Sequence, residues 1–194
     1  MRDAFYQRDS RRVVELSKSL HFQQGFFGWM SHVIKISKAR ILNETLDAIR
    51  QGTRNVVLSG LDLDDDDIKD WSQNIGHCRI QSLDISNNRI GPLGAESLAQ
   101  GLGSTFVQAL NLSHNHIGSE GLTFICENLL SRGTLSSLDV TSNSIDNVRS
   151  LGNQIGDQTL NLRFLFLKGN DLSANGILVL TENQSNSVAS FTFV

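Results

Sequence analysis

The chain has 194 residues, enough for one domain or one continuous repeat array, and its formal net charge of -3 argues against nucleic-acid binding by charge alone. It contains no run of about 18 apolar residues that could span a membrane and no secretory signal at its start. Its two cysteines, Cys78 and Cys126, do not cluster as in disulfide-closed extracellular domains, which favours a cytoplasmic location.

The charge is unevenly distributed along the chain. Residues 1–54 carry ten Lys or Arg against five Asp or Glu, a net of +5, whereas residues 55–194 carry seven against fifteen, a net of -8. Four arginines, Arg2, Arg8, Arg11 and Arg12, give the start of the chain a basic face. Such a face is either simply solvated or available to an acidic partner or a phospholipid headgroup.

Residues 1–31 are predicted to form an N-terminal helical cap. Asp9 or Ser10 can cap a helix over residues 11–20, and Gly25 is expected to end the helical segment. Four large apolar residues follow that glycine: Phe26, Phe27, Trp29 and Met30. We expect them to close the open end of a repeat array, the alternative being an exposed contact patch.

Residues 32–194 carry a repeated pattern that predicts seven short strands, beginning at residues 34, 56, 83, 110, 138, 165 and 191. The clearest copy is Leu83-Asp84-Ile85-Ser86-Asn87-Asn88-Arg89-Ile90. Alternating apolar residues place one side of each strand in a core. In the two earliest copies Ala39 and Leu61 stand where the later copies have asparagine.

The repeated asparagine is expected to be structural. An amide that leaves a strand at a turn can donate and accept, so a stack of such side chains can satisfy backbone groups that the turn leaves unpaired. We call this stack the asparagine ladder, and it consists of Asn88, Asn115, Asn143 and Asn170.

Helices are predicted between the strands, each with one apolar face. These faces comprise Ile68, Trp71, Ser72 and Ile75, then Ala95, Leu98, Ala99 and Leu102, then Leu122, Ile125, Cys126 and Leu129. The copy at residues 145–155 departs from the pattern because Arg149 replaces a small glycine, which predicts a shorter or displaced helix. The acidic run at residues 64–67 is expected to cap a helix start, since it lacks the spacing of a calcium loop.

The frame L-x-L-x-x-N-x-L and the helix opening I-G-x-x-G resemble the leucine-rich repeat family, and in particular its ribonuclease-inhibitor-like subclass. This resemblance implies an α/β curved solenoid, or horseshoe, with parallel strands on the concave face and helices on the convex face. The irregular repeats are also similar to those of leucine-rich repeat effectors from intracellular bacteria such as Legionella. That similarity implies a host-cell target and translocation into host cytosol without a cleaved signal.

The sequence offers no catalytic, metal or cofactor site. His114 and His116 are too few for a zinc site, and the adjacent pair His77 and Cys78 lacks an orienting third residue. Cys126 stands at a small apolar helix position and is expected to be buried and inert. We therefore expect neither an enzyme nor a metal or cofactor.

Function is expected on the concave face, where alternate strand residues point away from the core. These positions include Val33, Lys35 and Ser37 in the first copy and Ser86 and Ser113 further on. The residues that we expect to bind a partner are Asp84, Asn111, Asp139, Phe164, Phe166 and Lys168.

Two classes of function fit this surface and its flanking segments. The first is a non-catalytic protein-interaction module that binds another protein, host or bacterial, and inhibits it by covering its active site. The second is a membrane-surface adaptor that uses the basic N-terminal segment. The last strand has no capping helix after it, so a dimer through its edge is also expected.

Overall fold

The structure is a computed structural model that describes residues 23–76, 78–155, 161–182 and 190–192. The chain divides into two compact units, Met1–Ile41 and Leu42–Val194. The expected helix over residues 11–20, the four N-terminal arginines and His77 lie outside the described residues. So do the side chains of the expected apolar plug, Phe26, Phe27, Trp29 and Met30.

The first described element is a long helix, α1, over Gln23–Arg50. The predicted strand at residue 34 is therefore wrong, and so are the concave positions assigned to Val33, Lys35 and Ser37. Gly25 does not end the helix either, because one glycine costs only about 1 kcal/mol relative to alanine inside a helix. The helical pattern is carried by Leu42, Leu46 and Ile49, which are buried at spacings of four and three residues.

The other six predicted strands are present, and each begins one residue before its predicted position. They are β1 Asn55–Val57, β2 Ser82–Asp84, β3 Ala109–Asn111, β4 Ser137–Asp139, β5 Phe164–Phe166 and β6 Ser190–Thr192. They form one parallel sheet in chain order. The residue pairing keeps the middle residue of each strand opposite the middle residue of the next, so the repeats stack without a shift in register.

Helices alternate with the strands. They are α2 Asp65–Ser72, α3 Pro92–Leu102, α4 Gly118–Asn128, α5 Arg149–Ile155 and α6 Ala174–Glu182, with a 3-10 turn at Leu130–Arg132. The predicted apolar faces of α2, α3 and α4 are buried, including Trp71, Leu98 and Cys126. Consecutive helices pack against each other along the array.

Helix α5 begins later after its strand than α3 and α4 do, in agreement with the predicted displacement, and the residues that follow Ile155 lie outside the described part of the chain. Arg149 occupies the place that Gly94 and Gly121 have in the preceding repeats. At Gly121 an added Cβ would lie 2.8 Å from the Cβ of Ile117, so the early start of α4 depends on a glycine there. With arginine at this place, α5 begins only at Arg149 itself.

The core lies between the sheet and the helices. Leu83, Leu110, Leu138 and Leu165 occupy the middle of consecutive strands and are almost completely buried. Each such side chain contributes on the order of 1.5–3 kcal/mol of burial free energy relative to an exposed position. Because the alternate strand residues cannot reach this core, they are left on the opposite face of the sheet.

The acidic run caps helix α2, as expected from the sequence. The N–H of Asp67 donates to the Asp64 carboxylate at 3.2 Å, and the N–H of Asp64 donates to the Asp67 carboxylate at 3.2 Å. This reciprocal capping box satisfies two backbone donors at the helix start. In the part of the chain that the structure describes, no helix is long and apolar enough to cross a bilayer.

Candidate functional site

The turn that follows each of the strands β2 to β5 is held by an asparagine that bonds to two repeats. Asn115 donates from Nδ2 to the carbonyl of Leu112 in its own repeat at 3.0 Å and to that of Ile85 in the preceding repeat at 3.1 Å. Its Oδ1 accepts from the N–H of Ile90 at 3.0 Å. Asn88, Asn143 and Asn170 make the same kinds of bonds. These bonds fix the end of each strand relative to its neighbour.

The residue directly before each ladder asparagine has a left-handed backbone conformation, and so has the residue before Leu61, which takes the same place in the first repeat. The φ values are 68° at Gly60, 56° at Asn87, 56° at His114, 52° at Ser142 and 68° at Gly169. Glycine, asparagine and histidine are among the residues that tolerate this conformation best. His114, for which the sequence argued against a zinc role, thus contributes to the fold through its backbone conformation.

The first and third residues of strands β1 to β5 are exposed or half-buried on one side of the sheet, and we call this side of the sheet the strand face. The third residues form one registered row: Val57, Asp84, Asn111, Asp139, Phe166 and Thr192. The first residues form the second row: Asn55, Ser82, Ala109, Ser137, Phe164 and Ser190. The side chains in the middle of the strand face are therefore small and polar. Asn111 has one carboxylate on each side, that of Asp84 and that of Asp139.

Two phenylalanines form an aromatic patch on strand β5. Phe164 is 46% exposed and Phe166 is half-buried, whereas Leu165 between them is fully buried. Asp139 lies directly opposite Phe166 in the register of β4 and β5, and the exposed Lys168 follows two residues later. The structure thus brings Asp139, Phe164, Phe166 and Lys168 together, with Asn111 one strand and Asp84 two strands beyond Asp139.

The polar residues of the strand face also have a local structural role. The Oδ1 atom of Asp84 accepts the N–H of Ser86 at 3.0 Å, that of Asn111 accepts the N–H of Ser113 at 3.0 Å, and that of Asp139 accepts the N–H of Thr141 at 2.9 Å. This is the side-chain-to-backbone bond of an Asx turn. The sequence signal for it is the Asp or Asn at the third position of β2, β3 and β4, and sequence reasoning missed this local role.

Two serines expected on the concave face are instead buried. Ser86 is 4% exposed and Ser113 is 8% exposed. The chain begins to turn at these positions, and the Ser86 hydroxyl bonds with the hydroxyl of Ser59 in the preceding repeat at 2.9 Å. The strand face is therefore only two residues wide over β2 and β3.

Two chemical properties of the described residues bear on this site: the state of the Cys126 thiol and the grouping of possible metal ligands. Burial raises the pKa of the Cys126 thiol to about 12, so this cysteine stays protonated at neutral pH and is a poor nucleophile. Among the described residues no three His, Cys, Asp or Glu side chains are grouped so as to hold a metal ion. What the strand face offers is a shaped surface with an aromatic patch, two carboxylates and a lysine.

Comparisons with known proteins agree with this architecture. Residues 74–99 and 103–126 match a family model described as Leucine Rich repeat. No curated protein matches the chain. A solved structure of "Leiomodin-1 Actin-Binding Site 2 (ABS2)" is similar with a TM-score of 0.58 and 19% sequence identity, over 74% of this chain and 89% of that chain. At this identity the likeness concerns the fold. The matched repeats, the asparagine ladder and the single parallel sheet show that the part of the chain from β1 to β6 has the α/β fold of a leucine-rich repeat solenoid.

Proposed function

We propose that this chain is a non-catalytic module that binds another protein through its strand face. The observation that carries the proposal is the aromatic patch of Phe164 and Phe166, because an aromatic ring that is 46% exposed contributes little to folding. Aromatic residues in a polar surround are typical of the centre of protein interfaces. Along this face the neighbouring first-row residues Ser82, Ala109 and Ser137 are small and leave room for a partner to approach the sheet.

The partner surface that fits this site has an apolar pocket next to a basic or hydrogen-bonding group. The two phenylalanine rings fill the partner's pocket. The carboxylate of Asp139, one strand away, accepts a hydrogen bond from the partner's basic or hydrogen-bonding group. Neighbouring parallel strands are about 4.8 Å apart, so pocket and donor must be adjacent in the partner too. Asp84 and Asn111 extend the polar contact across the sheet, while Lys168 suits an acidic group at the far side.

The fold likeness supports a protein-binding scaffold without naming the partner. The similar solved structure is titled as an actin-binding site, so a chain with a similar fold is associated with protein binding. Repeat arrays present extended surfaces of this kind because each repeat adds one strand to the same face. Actin itself does not follow as a partner from a likeness at 19% identity.

The test is a double substitution of the aromatic patch, Phe164→Ala with Phe166→Ala. The wild-type and variant proteins serve as baits in parallel captures from host and bacterial lysates, and the dissociation constant is then measured with the purified partner. We expect a loss of about 2 kcal/mol or more, which is a roughly 30-fold weaker dissociation constant. The melting temperature should change little because surface substitutions shift stability by under about 0.5 kcal/mol.

A matched control uses an exposed apolar side chain away from the strand face. Leu93→Ala removes a side chain on helix α3 that is more exposed than Phe164, at 66% against 46%. It should leave both the captured partner and the dissociation constant unchanged. Equal binding by the wild type and the double variant would move the interface away from the strand face and overturn the proposal.

Several finer proposals rest on the resemblance of the repeats. One is that the chain is an effector that inhibits a host or bacterial protein by covering its active site with the strand face. A cytosolic location and translocation of the chain into a host cell also stay predictions. Dimer formation through β6 stays a prediction, and its support is that among the described strands β6 pairs with β5 alone. Light scattering at increasing protein concentration tests this dimer, since a constant monomer mass would rule it out.

A further inference from the structure

A groove lies where the first three strands begin, at the opposite end of those strands from the asparagine ladder. Its volume is about 340 Å³, and it is lined by Arg54, Arg79, Ile80, Gln81, Phe106 and Gln108. These residues come from the segments that lead into β1, β2 and β3, so three repeats contribute to one groove. We call it the arginine groove. Sequence reasoning missed it because no linear motif joins its residues.

The floor of the arginine groove is an extension of the parallel sheet. The N–H of Gln81 donates to the carbonyl of Arg54 at 2.8 Å, and the N–H of Gln108 donates to the carbonyl of Gln81 at 2.8 Å. The side chains continue this order, since Nε2 of Gln81 donates to Oε1 of Gln108 at 3.0 Å. The groove therefore has a fixed base, on which the residues of neighbouring repeats lie side by side.

The charge of the groove is opposite to that of the surrounding solenoid. Arg54 and Arg79 place two guanidinium groups beside it, although residues 55–194 carry a net charge of -8. In the described part of the chain neither guanidinium forms an ion pair, whereas Arg50 and Arg89 both do. Two exposed arginines without a carboxylate partner provide a site for an anion.

An aromatic ring completes the groove. Phe106 is 67% exposed, the largest exposed fraction among the described large hydrophobic residues. The ring lies in the pre-strand segment of β3, while the buried Ile80 occupies the corresponding segment before β2. The groove thus combines two cations, an accessible ring and a pair of amides, which suits a ligand with both acidic and apolar groups.

We propose that the arginine groove binds an acidic peptide segment that carries an apolar side chain between or beside its carboxylates. The guanidinium groups of Arg54 and Arg79 bind the carboxylates, and Phe106 packs against the apolar side chain. Three neighbouring strands span about 10 Å, which corresponds to about three residues of an extended chain. This site is separate from the strand face and adds a second, charge-selective contact to any partner.

The experiment measures fluorescence anisotropy of a fluorescein-labelled peptide, Gly-Glu-Phe-Glu-Gly, with the full chain at low and high salt. We expect saturable binding below about 1 mM that weakens as salt screens the charges. The variant with Arg54→Gln and Arg79→Gln should bind at least tenfold more weakly, and Phe106→Ala several-fold more weakly. Because Arg54, Arg79 and Phe106 are all exposed, we expect the variants to have the melting temperature of the wild type. Measuring the melting temperature separates a loss of binding from a loss of folding.

Matched controls separate this site from general attraction to a charged surface. Arg163→Gln removes an exposed arginine that directly precedes β5. This arginine lies at the same end of the strands as the groove but does not line it, so the substitution should leave peptide binding unchanged. A peptide with both glutamates replaced by glutamine should not bind. An equal loss in Arg163→Gln would overturn the proposal. So would full displacement by inorganic phosphate together with unchanged binding of a peptide that lacks phenylalanine, since both results would indicate a site for small anions.

Discussion

Asp65 accepts a hydrogen bond from the backbone N–H of Gly91 at 2.6 Å, which joins the first turn of helix α2 to the residue before helix α3 in the next repeat. The two residues are also in close steric contact, because a Cβ added to Gly91 would lie 2.9 Å from Oδ2 of Asp65. One member of the acidic run therefore links two repeats, while Asp64 and Asp67 cap their own helix. The acidic run of one repeat and the glycine before the helix of the next repeat therefore contact each other.

This contact predicts different outcomes for two neighbouring acidic residues. Asp65→Ala leaves the Gly91 N–H without its partner and should lower the free energy of unfolding by about 1.5–3 kcal/mol, the range for a bond to a charged group. Asp66→Ala removes the same charge from the same helical turn, but Asp66 is exposed, and the loss should stay under about 0.5 kcal/mol. Urea unfolding of both variants checks this. Equal losses would assign the effect to the helix dipole alone.

A second prediction concerns the close packing of helices α2 and α3. A Cβ added at Gly101 would overlap the backbone carbonyl oxygen of Ser72, which cannot rotate away as a side chain could. Alanine normally favours a helix over glycine by about 1 kcal/mol, yet Gly101→Ala should lower the melting temperature. Gln100→Ala, at the exposed neighbouring position, is the control and should melt like the wild type. A more stable Gly101→Ala variant would show that the helices can separate at little cost.

The strands were predictable from the sequence because their signal has a period of two and recurs in register. Leu83 and Ile85 are buried on either side of the half-buried Asp84 in the same way as Leu110 and Leu112 flank Asn111, and repetition makes the pattern specific. The same alternation in Ile34-Lys35-Ile36 occurs once and belongs to a helix. There the decisive signal is the spacing of buried residues further along α1, which a three-residue pattern cannot contain.

The candidate sites were only partly predictable. Phe164 and Phe166 alternate with the buried Leu165, so their place on the strand face could be stated in advance. The burial of Ser86 could not, because it depends on where the chain turns and on the hydroxyl of Ser59 from another repeat. The arginine groove was also out of reach, since Arg79 and Phe106 meet only when the repeats stack.

The asparagine ladder gives a third prediction. Asn115→Ala removes an amide that is 2% exposed and leaves backbone groups of Ile85, Ile90 and Leu112 without this partner. The free energy of unfolding should fall by about 1–3 kcal/mol, since buried polar groups lose their hydrogen bonds. Asn153→Ala removes an exposed amide on α5 and should be neutral. If Asn115→Ala unfolds at the same urea concentration as the wild type, the ladder has no structural role.

The last prediction concerns the two thiols and begins with their accessibility. Cys126 is fully buried in helix α4, while Cys78 is half-buried before β2. A thiol reagent such as dithionitrobenzoate should modify Cys78 in the folded protein and reach Cys126 only after unfolding. Rapid modification of Cys126 in the folded state would show that the α4 repeat opens locally, since a protonated and inaccessible thiol does not react.

Burial of Cys126 also makes the fold sensitive to alkaline pH. Its pKa is raised from 9.0 to about 12, chiefly by desolvation, so the unfolded chain loses this proton at a lower pH than the folded chain does. The associated stability is complete below pH 9 and is lost as the pH rises from 9 towards 12. Between pH 8 and pH 10 this thiol should account for a fall in the free energy of unfolding of about 1 kcal/mol.

Urea unfolding under reducing conditions should show this fall in the wild type and in Cys78→Ala. Cys126→Ala should be less stable at pH 8 but should lose about 1 kcal/mol less on the way to pH 10. The same pH-dependent loss in Cys126→Ala as in the wild type would assign the alkaline sensitivity to other groups.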